Sequence, residues 1–372
     1  MNNQNLRFFL VAGEESGDIH GARLISALKE KSPNASFIGH GGNKMKTAGM
    51  EILEHVDDLA MMGFTEVLKH LPYMINVMGK TLKKTQEIKP HRLILIDYPG
   101  FNLRLAKNIH PLGLPITYFI MPQVWAWKEK RVNTIRKCVD QALCIFPFEQ
   151  EWFEQRGVNA HFIGHPFTEF HNPSINKEAF FQKHSLDNNK SLLVLFPGSR
   201  QQEIDRHLPI FVKTIALLND ENLQIIIGKA PNVSLSSIPA HWKIENDDTS
   251  LCLEYGTAVL TSSGTATLQS AVQDIPAVVG YKLSAGSWLL AKNLSHVPFA
   301  AMTNLIVGKE IVPEFLQNEM TPENLANAIR PLLNNSSERK NMLFGYEEVR
   351  RSLGIPGTYE RAADAILSRT KI

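Results

Sequence analysis

The fold is decided by two stretches far apart in the chain, LVAGEESGD at residues 10–18 and LVLFPGSR at residues 193–200. In each stretch an apolar run of strand length leads into a loop of small residues and then into a helical pattern. Such a junction leaves backbone N–H groups unpaired at a helix N-terminus, where the helix dipole favours an anion. We therefore predict two α/β domains that face each other across a cleft, each with a ligand-binding loop at its head.

Apolar runs of strand length alternate with helical patterns along both halves of the chain. Runs that are apolar on both faces indicate parallel sheets covered by helices on both sides. The predicted strands are 7–12, 37–40, 93–96, 116–120, 141–146 and 161–163 in the first half, and 192–196, 223–227, 258–261 and 277–280 in the second. The predicted fold class is α/β, with two Rossmann-like, doubly wound domains.

Turn-forming residues indicate where the domains meet, since Gly164, His165 and Pro166 end a strand sharply. We assign residues 1–168 to an N-terminal domain, residues 169–345 to a second domain, and residues 346–372 to C-terminal helices that pack back on an N-terminal domain. The sequence leaves open whether that domain belongs to the same chain or to a partner in a homodimer.

The composition excludes several classes of protein. The 372 residues are 44% hydrophobic, and the formal net charge of +2 argues against a nucleic-acid-binding protein that relies on bulk electrostatics. Cys138, Cys144 and Cys252 form no C-x-x-C pair, and the first strand begins too early to leave room for a cleaved signal segment. Prolines interrupt the longest uncharged run, residues 111–127, so we predict no transmembrane helix. We expect a cytoplasmic protein.

Absent motifs narrow the chemistry further. The chain has no G-x-G-x-x-G, no Walker loop and no G-x-S-x-G, so a dehydrogenase, an ATPase and a serine hydrolase lack support. No D-x-D pair is present to hold a diphosphate through a divalent metal. His161 and His165 have helical spacing, but Gly164 and Pro166 break that helix, so we predict no zinc site there. We expect no cofactor and no metal.

Asp97 is the sharpest catalytic candidate. It directly follows the apolar run 93–96, and ligands of open α/β sheets bind beyond the carboxyl ends of the strands. Partial desolvation there raises the pKa of a carboxyl group and makes it a better general base. The alternative is that Asp97 caps the next helix or accepts hydrogen bonds from loop amides.

Two loops of the second half are candidates for phosphate binding. Ser199 can cap a helix, and Arg200 offers a planar fork of donors that suits phosphate oxygens. The alternative pairs Arg200 with Glu203 or Asp205 one turn on. The hydroxyl-rich stretch 261–266 opens another helix, which is either simply well capped or holds a second phosphate and the ribose.

Two further stretches suggest an amphiphilic ligand. Residues 59–78 are unusually rich in methionine, with Met61, Met62 and Phe64 at their start, and we expect Gly63, Pro72 and Gly79 to interrupt any helix there. Trp125 and Trp127 precede a basic helix, as at interfaces with lipid headgroups. A helix pair packed on the sheet and an ordinary domain edge are the alternatives for these two stretches.

With these residues identified, the sequence closely resembles the lipid-A-disaccharide synthase family over essentially its whole length. The motifs that carry the resemblance are AGEESGD at 12–18, MGFTEV at 62–67, IDYPGFN at 96–102, PQVWAW at 122–127, FIGHP at 162–166, PGSR at 197–200, SGTA at 263–266, VGYK at 279–282, NL at 304–305 and VPEFLQ at 312–317.

The resemblance implies a GT-B fold and an inverting hexosyltransferase. Its donor would be UDP-2,3-diacylglucosamine and its acceptor 2,3-diacylglucosamine 1-phosphate (lipid X), joined by a β-1,6 link without a metal. Substrates with fatty chains imply a peripheral protein on the cytoplasmic face of the inner membrane, with Met61, Met62, Phe64, Trp125 and Trp127 in contact with acyl chains or membrane.

The resemblance also assigns roles to site residues. Asp97 is the first candidate for the base. Glu14 and Asp18 join it as catalytic candidates, and we place them on the acceptor side because their charges would repel a phosphate. The expected UDP and donor residues are Gly198, Ser199, Arg200, Ser263, Gly264, Thr265, Gln269, Tyr281, Asn304 and Gln317. Gln269 stands where the family usually has a ribose-binding Glu, and Thr303 where it commonly has Pro.

Two other functions stay open at this point. A UDP-N-acetylglucosamine 2-epimerase would share the two-domain architecture and the nucleotide but handle no lipid. A non-catalytic carrier of acylated sugars would bind both ligands and release no UDP.

Overall fold

The structure is a computed structural model that describes residues 5–59, 64–126, 128–169, 173–231, 233–262, 264–284, 288 and 297–370, without the side chains of residues 64–71. The chain divides into two compact units. Unit one comprises residues Met1–Glu169 and Leu353–Ile372, and unit two comprises Phe170–Ser352.

Unit one is built on a seven-stranded parallel sheet in the order β3-β2-β1-β4-β5-β6-β7. Its strands are β1 (Arg7–Val11), β2 (Ser36–Gly41), β3 (Met50–His55), β4 (Arg92–Ile96), β5 (Ile116–Phe119), β6 (Gln141–Cys144) and β7 (Ala160–Phe162). Its helices are α1 (Glu15–Lys31), α2 (Asn43–Thr47), α3 (Val56–Leu59), α4 (Phe64–Ile88), α5 (Pro99–Ile109), α6 (Val132–Cys138) and α7 (Pro147–Glu154). The central strands β1 and β4 are almost wholly apolar, and helices cover both faces of the sheet.

Unit two repeats the design with a six-stranded parallel sheet in the order β10-β9-β8-β11-β12-β13. Its strands are β8 (Ser191–Phe196), β9 (Leu223–Gly228), β10 (Lys243–Glu245), β11 (Ala258–Thr261), β12 (Ala277–Tyr281) and β13 (Glu314–Leu316). Its helices are α8 (Lys177–His184), α9 (Gln201–Leu218), α10 (Ser250–Tyr255), α11 (Gly264–Val272), α12 (Met302–Val307), α13 (Pro322–Leu332) and α14 (Ser337–Leu353). The predicted fold class, two Rossmann-like α/β domains, is confirmed.

The chain returns to unit one at the end of α14, a continuous helix that contains the boundary expected at residues 345/346. The last helix, α15 (Thr358–Ser368), packs on α1 within unit one. There the hydroxyl of Tyr359 lies 2.8 Å from Nδ1 of His20, and Lys31 lies 2.7 Å from Asp364.

All ten predicted strands are present, with ends displaced by at most two residues. The strands β3, β10 and β13 were not predicted, because β3 carries Glu51 and Glu54 and the other two are only three residues long. The prediction of an interrupted helix after residue 63 is wrong, since α4 runs unbroken through Pro72 and Gly79. Both residues are exposed, so neither the proline ring nor the missing side chain disturbs the packing.

Among the described residues, no helix combines the length and the apolar character that a membrane crossing requires.

Candidate active site

The carboxyl ends of the parallel strands in unit two meet around a cavity of about 530 Å³. The loops after β8 and β11, the start of α11 and the end of β12 form most of its wall. The predicted donor residues that line it are Gly198, Ser199, Arg200, Gly264, Thr265, Gln269 and Tyr281. Ser263 lies outside the described residues. Seven positions that sequence analysis drew from separate motifs therefore share one site.

The start of α9 is already occupied by a carboxylate from its own first turn. The backbone N–H groups of Ser199 and Arg200 donate to Oε2 of Glu203 at 2.9 and 3.3 Å. On the other oxygen of Glu203, the guanidinium of Arg200 lies 3.4 Å away and the hydroxyl of Tyr281 donates at 3.2 Å. The pairing of Arg200 with Glu203 that the sequence left open is thus present, although the Arg200 side chain is 65% exposed.

The start of α11 offers a different environment at the same cavity. Residues 264–267 include no acidic side chain, so the positive end of this helix dipole is not neutralised by its own first turn. A Cβ on Gly264 would lie 2.6 Å from the carbonyl oxygen of Ala300, so only glycine allows the two loops to approach this closely. This helix start is better suited to an incoming anion than that of α9.

Asn304 does not line the cavity, contrary to its expected place on the donor side. It is fully buried, and its amide nitrogen donates to Val312 O at 2.9 Å and to Glu314 at 2.7 Å. Its amide oxygen accepts from the N–H groups of Ile311 and Val312. With all its hydrogen-bonding capacity used inside the protein, Asn304 holds the loop before β13 in place.

Gln317 follows β13 with a left-handed φ of 54°. Its side-chain nitrogen is buried, and the described residues provide no partner for it. It is not among the residues that line the cavity. Its expected donor contact therefore remains a prediction.

Asp97 stands at the carboxyl end of β4 in a strained turn of unit one. Asp97 and Tyr98 have φ values of 41° and 47°, a left-handed conformation that non-glycine residues rarely adopt in succession. Asn102 and the hydroxyl of Tyr118 hold the turn by donating to the carbonyl oxygen of Asp97 at 2.8 and 2.6 Å. Gly13 completes it, since a Cβ there would lie 2.2 Å from the Tyr98 ring.

The Asp97 carboxyl group lies in an environment that disfavours its ionised form. Burial, and secondly the negative charge of Glu14, raise the pKa of Asp97 to about 6. The residue that precedes the first turn of α5 is Tyr98, which forms no side-chain cap, so the helix-capping alternative for Asp97 is not seen. The other alternative, a hydrogen bond from a loop amide, is present, since the N–H of Tyr98 donates to the Asp97 carboxylate and partly offsets the rise in its pKa. A base with this pKa is largely ionised at neutral pH and still accepts a proton readily.

Glu14 offers a test of that electrostatic arrangement. In Glu14→Gln the charge that disfavours ionisation is lost, so the pKa of Asp97 falls towards its usual range. We expect the acidic limb of the kcat/KM profile to move to lower pH. The matched control is Glu15→Gln, since Glu15 is exposed and pairs with Lys44 at 3.3 Å. A limb that moves equally in both variants would contradict this role of Glu14.

Asp18 has a structural role in place of the expected catalytic one. Its buried carboxylate accepts three backbone hydrogen bonds, from Gly42 at 2.7 Å, Lys44 at 3.0 Å and Met45 at 2.9 Å. Both oxygens are therefore engaged at the start of α2, a helix distant in sequence. We assign Asp18 to the support of this loop.

Trp125 is not an exposed membrane contact as the sequence suggested. Its side chain is 8% exposed, packs on Phe148 with ring centroids 4.8 Å apart, and donates from Nε1 to Glu149 at 2.9 Å. Glu149, which sequence analysis missed, is fully buried, and burial raises its pKa to about 7. It also accepts from the N–H groups of Ile145 and Phe146, a capping pattern signalled by a Glu three residues into a helix.

The side chains of the other expected membrane contacts lie outside the described part of the structure. Met61, Met62 and Trp127 lie outside the described residues, and Phe64 starts α4 with its side chain outside the description.

Within the ranges that the structure describes, no group of three or more His, Cys, Asp or Glu side chains is arranged to hold a metal ion.

Comparison with known proteins identifies the family. The model of the lipid-A-disaccharide synthetase family matches residues 8–365. The chain belongs to this family. It is 36% identical over 372 residues to the lipid-A-disaccharide synthase of Myxococcus xanthus, covering 97% of both chains. It is 37% identical over 370 residues to that of Acidobacterium capsulatum, covering 94% of this chain and 92% of the relative. Membership makes the chain a glycosyltransferase of lipid A biosynthesis.

Solved structures show the same fold at low identity. The calicheamicin glycosyltransferase has a TM-score of 0.62 and 14% identity, with 100% of each chain covered. The UDP-GlcNAc 2-epimerase of Neisseria meningitidis, bound to UDP-GlcNAc, has a TM-score of 0.63 and 10% identity, covering 98% of this chain and 99% of that one. At such identities these likenesses show the fold alone, so the lipid-A-disaccharide synthetase family decides the activity, and the epimerase and the non-catalytic carrier gain no support.

Proposed function

We propose that this glycosyltransferase transfers the diacylglucosamine of UDP-2,3-diacylglucosamine to the 6-hydroxyl of 2,3-diacylglucosamine 1-phosphate. The products are the β-1,6-linked disaccharide 1-phosphate and UDP. The observation that carries the proposal is the cavity of unit two, whose wall combines a helix start without acidic side chains, an exposed arginine and hydroxyl groups. These groups suit a nucleoside diphosphate without a metal.

The donor diphosphate in this proposal lies at the start of α11, near Gly264 and Thr265, with the guanidinium of Arg200 on its oxygens. The start of α9 is a poorer phosphate site than its sequence suggests, because the carboxylate of Glu203 already accepts from its N–H groups. Gln269, which replaces the usual acidic residue, points to a neutral contact with the ribose hydroxyls.

Asp97 is the base in this scheme. As the acceptor oxygen attacks the anomeric carbon of the donor, its proton passes to the Asp97 carboxylate. The bond from that carbon to the phosphate oxygen breaks, and UDP leaves with the electron pair, so the anomeric centre is inverted. Charge that develops on the leaving diphosphate is stabilised by the dipole of α11 and by Arg200.

The proposal is tested by incubating the purified protein with both acylated substrates in the presence of a chelator, followed by mass spectrometry. We expect the disaccharide 1-phosphate and equimolar UDP. A parallel incubation with UDP-N-acetylglucosamine alone should leave it unchanged. Epimer formation without an acceptor, or ligand binding without release of UDP, would contradict the proposal and favour the epimerase or the carrier respectively.

We also propose that the protein works as a peripheral protein on the cytoplasmic face of the inner membrane, because both substrates carry fatty chains. Helix α4 offers a described apolar contact, since Ile75 is 64% exposed. We expect Ile75→Asp to reduce binding to phospholipid vesicles about tenfold, a change of about 1.4 kcal/mol. Leu217→Asp, at a 45% exposed leucine of unit two, is the control and should bind like the wild type. An equal loss of vesicle binding in both variants would contradict a membrane contact at Ile75.

A further inference from the structure

We propose that Glu203 and His207, one turn apart on α9, form a clamp that sets the spacing of the two loops flanking the donor diphosphate. Both are positioning residues, and the inference rests on the proposed function of the cavity in unit two. The two loops are residues 197–200 after β8 and residues 281–282 at the end of β12. Each clamp residue contacts both loops.

His207 is fully buried and connects the loops through opposite nitrogens of its ring. Nδ1 lies 2.8 Å from the carbonyl oxygen of Pro197, which can only accept, so Nδ1 carries the proton. Nε2 lies 3.0 Å from the N–H of Lys282 and 3.1 Å from its carbonyl oxygen. Burial lowers the pKa of His207, and in the neutral ring Nε2 accepts from the Lys282 N–H.

Glu203 makes the same connection nearer the cavity. It accepts from the N–H groups of Ser199 and Arg200 in the first loop and from the hydroxyl of Tyr281 in the second. A Cβ on Gly198 would lie 2.4 Å from Cβ of Glu203, and φ at Gly198 is 143°, so the first loop fits closely over this side chain. The backbone from which the exposed Arg200 side chain extends is thereby fixed.

The topology explains why side chains are needed for this task. In the sheet of unit two, β11 lies between β8 and β12, so no backbone ladder joins the two strands that carry the loops. The start of α11, where we place the diphosphate, follows β11 and is therefore flanked by the loops of both neighbours. The distance between these two loops decides whether Arg200 and Tyr281 can contact the same ligand at the same time.

The decisive variant is His207→Phe, which keeps a ring of similar size and removes both hydrogen bonds. We expect UDP to bind about tenfold more weakly by calorimetry and the donor KM to rise similarly. The acceptor KM should stay within about twofold. His207→Gln should recover most of the affinity, because an amide again offers one donor and one acceptor. The control is Leu208→Ala, which weakens the buried core at the next position of α9 and leaves the hydrogen bonds of Glu203 and His207 to the loops in place.

The outcomes separate the clamp from a purely structural role. The clamp is upheld if His207→Phe lowers the affinity for UDP more than Leu208→Ala does, although both variants lose the same amount of thermal stability. Equal losses, or no rescue by His207→Gln, would overturn it. If His207→Phe fails to fold, Glu203→Gln serves in its place and should weaken UDP binding with an unchanged acceptor KM.

Failure of the proposed function would look different. If the wild-type protein binds no UDP, the proposed donor site is wrong. The clamp is then tested separately, by hydrogen–deuterium exchange of the two loops. Faster exchange of residues 197–200 and 281–284 in His207→Phe than in Leu208→Ala upholds the clamp. Identical exchange in the two variants overturns it.

Discussion

Asp97→Asn is expected to lower kcat by about 10² to 10⁴-fold, the usual contribution of a general base. The amide is close to the carboxyl group in size, so the strained turn and its hydrogen bonds from Asn102 and Tyr118 should persist. The ability to take the acceptor proton is lost with the negative charge. Steady-state kinetics with both acylated substrates, together with UDP calorimetry, would separate lost turnover from lost binding.

The matched control is Asp18→Asn, a second buried acid in unit one with all its hydrogen bonds made to backbone N–H groups. The amide nitrogen would face at least one of these donors, so we expect a lower thermal unfolding midpoint with kcat kept within about tenfold. If Asp97→Asn turned over normally while Asp18→Asn lost activity, the assignments of the two residues would have to be exchanged.

The pH profile gives an independent check on the base. In the proposed scheme the ionised form of Asp97 is active, and burial raises its pKa to about 6, so kcat/KM should fall as pH drops through that value. An unperturbed aspartate would give a limb near pH 4. The acidic limb should be missing from the residual activity of Asp97→Asn.

The positions of the site loops could be predicted because parallel sheets carry a strong sequence signal. Strand β8 (Ser191–Phe196) is apolar on both faces and runs into the small-residue loop 197–200, and parallel strands bring their carboxyl ends to one edge. That rule placed the loops of Arg200 and Thr265 at one edge of the sheet. Tyr281, at the end of a third strand, was expected there only from the family resemblance, and it lines the same cavity.

The roles of single polar residues could not be predicted with the same success. Asp18, in the first turn of the helix after β1, and Asp97, directly after the neighbouring strand β4, are the same residue type. Only the structure shows that backbone N–H groups of the segment 42–45 already donate to Asp18. Asn304 is likewise saturated, by three backbone groups and the carboxylate of Glu314, and the indole N–H of buried Trp125 finds its partner in Glu149. Hydrogen bonds between segments distant in sequence leave no periodic pattern to read.

Arg200→Ala is the second variant with a large expected effect, a fall in kcat/KM for the donor of about 10² to 10³-fold. Charge-assisted hydrogen bonds to a diphosphate contribute about 1.5–3 kcal/mol to binding, and their strength grows as negative charge develops on the leaving group. Arg200→Lys should recover only part of the activity, because an ammonium group keeps the charge but lacks the planar fork. UDP calorimetry and donor kinetics measure the two contributions separately.

The control for net charge is Lys213→Ala, which removes one exposed positive charge from the same helix, away from the cavity. It should leave kcat/KM within about twofold.

Loss of Arg200 also frees Glu203 from its guanidinium partner, and the carboxylate then opposes the diphosphate without a nearby counter-charge. The clamp predicts that Glu203→Gln weakens UDP binding, and this loss should be smaller in the Arg200→Ala background, where removing the carboxylate charge also relieves repulsion. Equal losses in both backgrounds would contradict the coupling between Arg200 and Glu203.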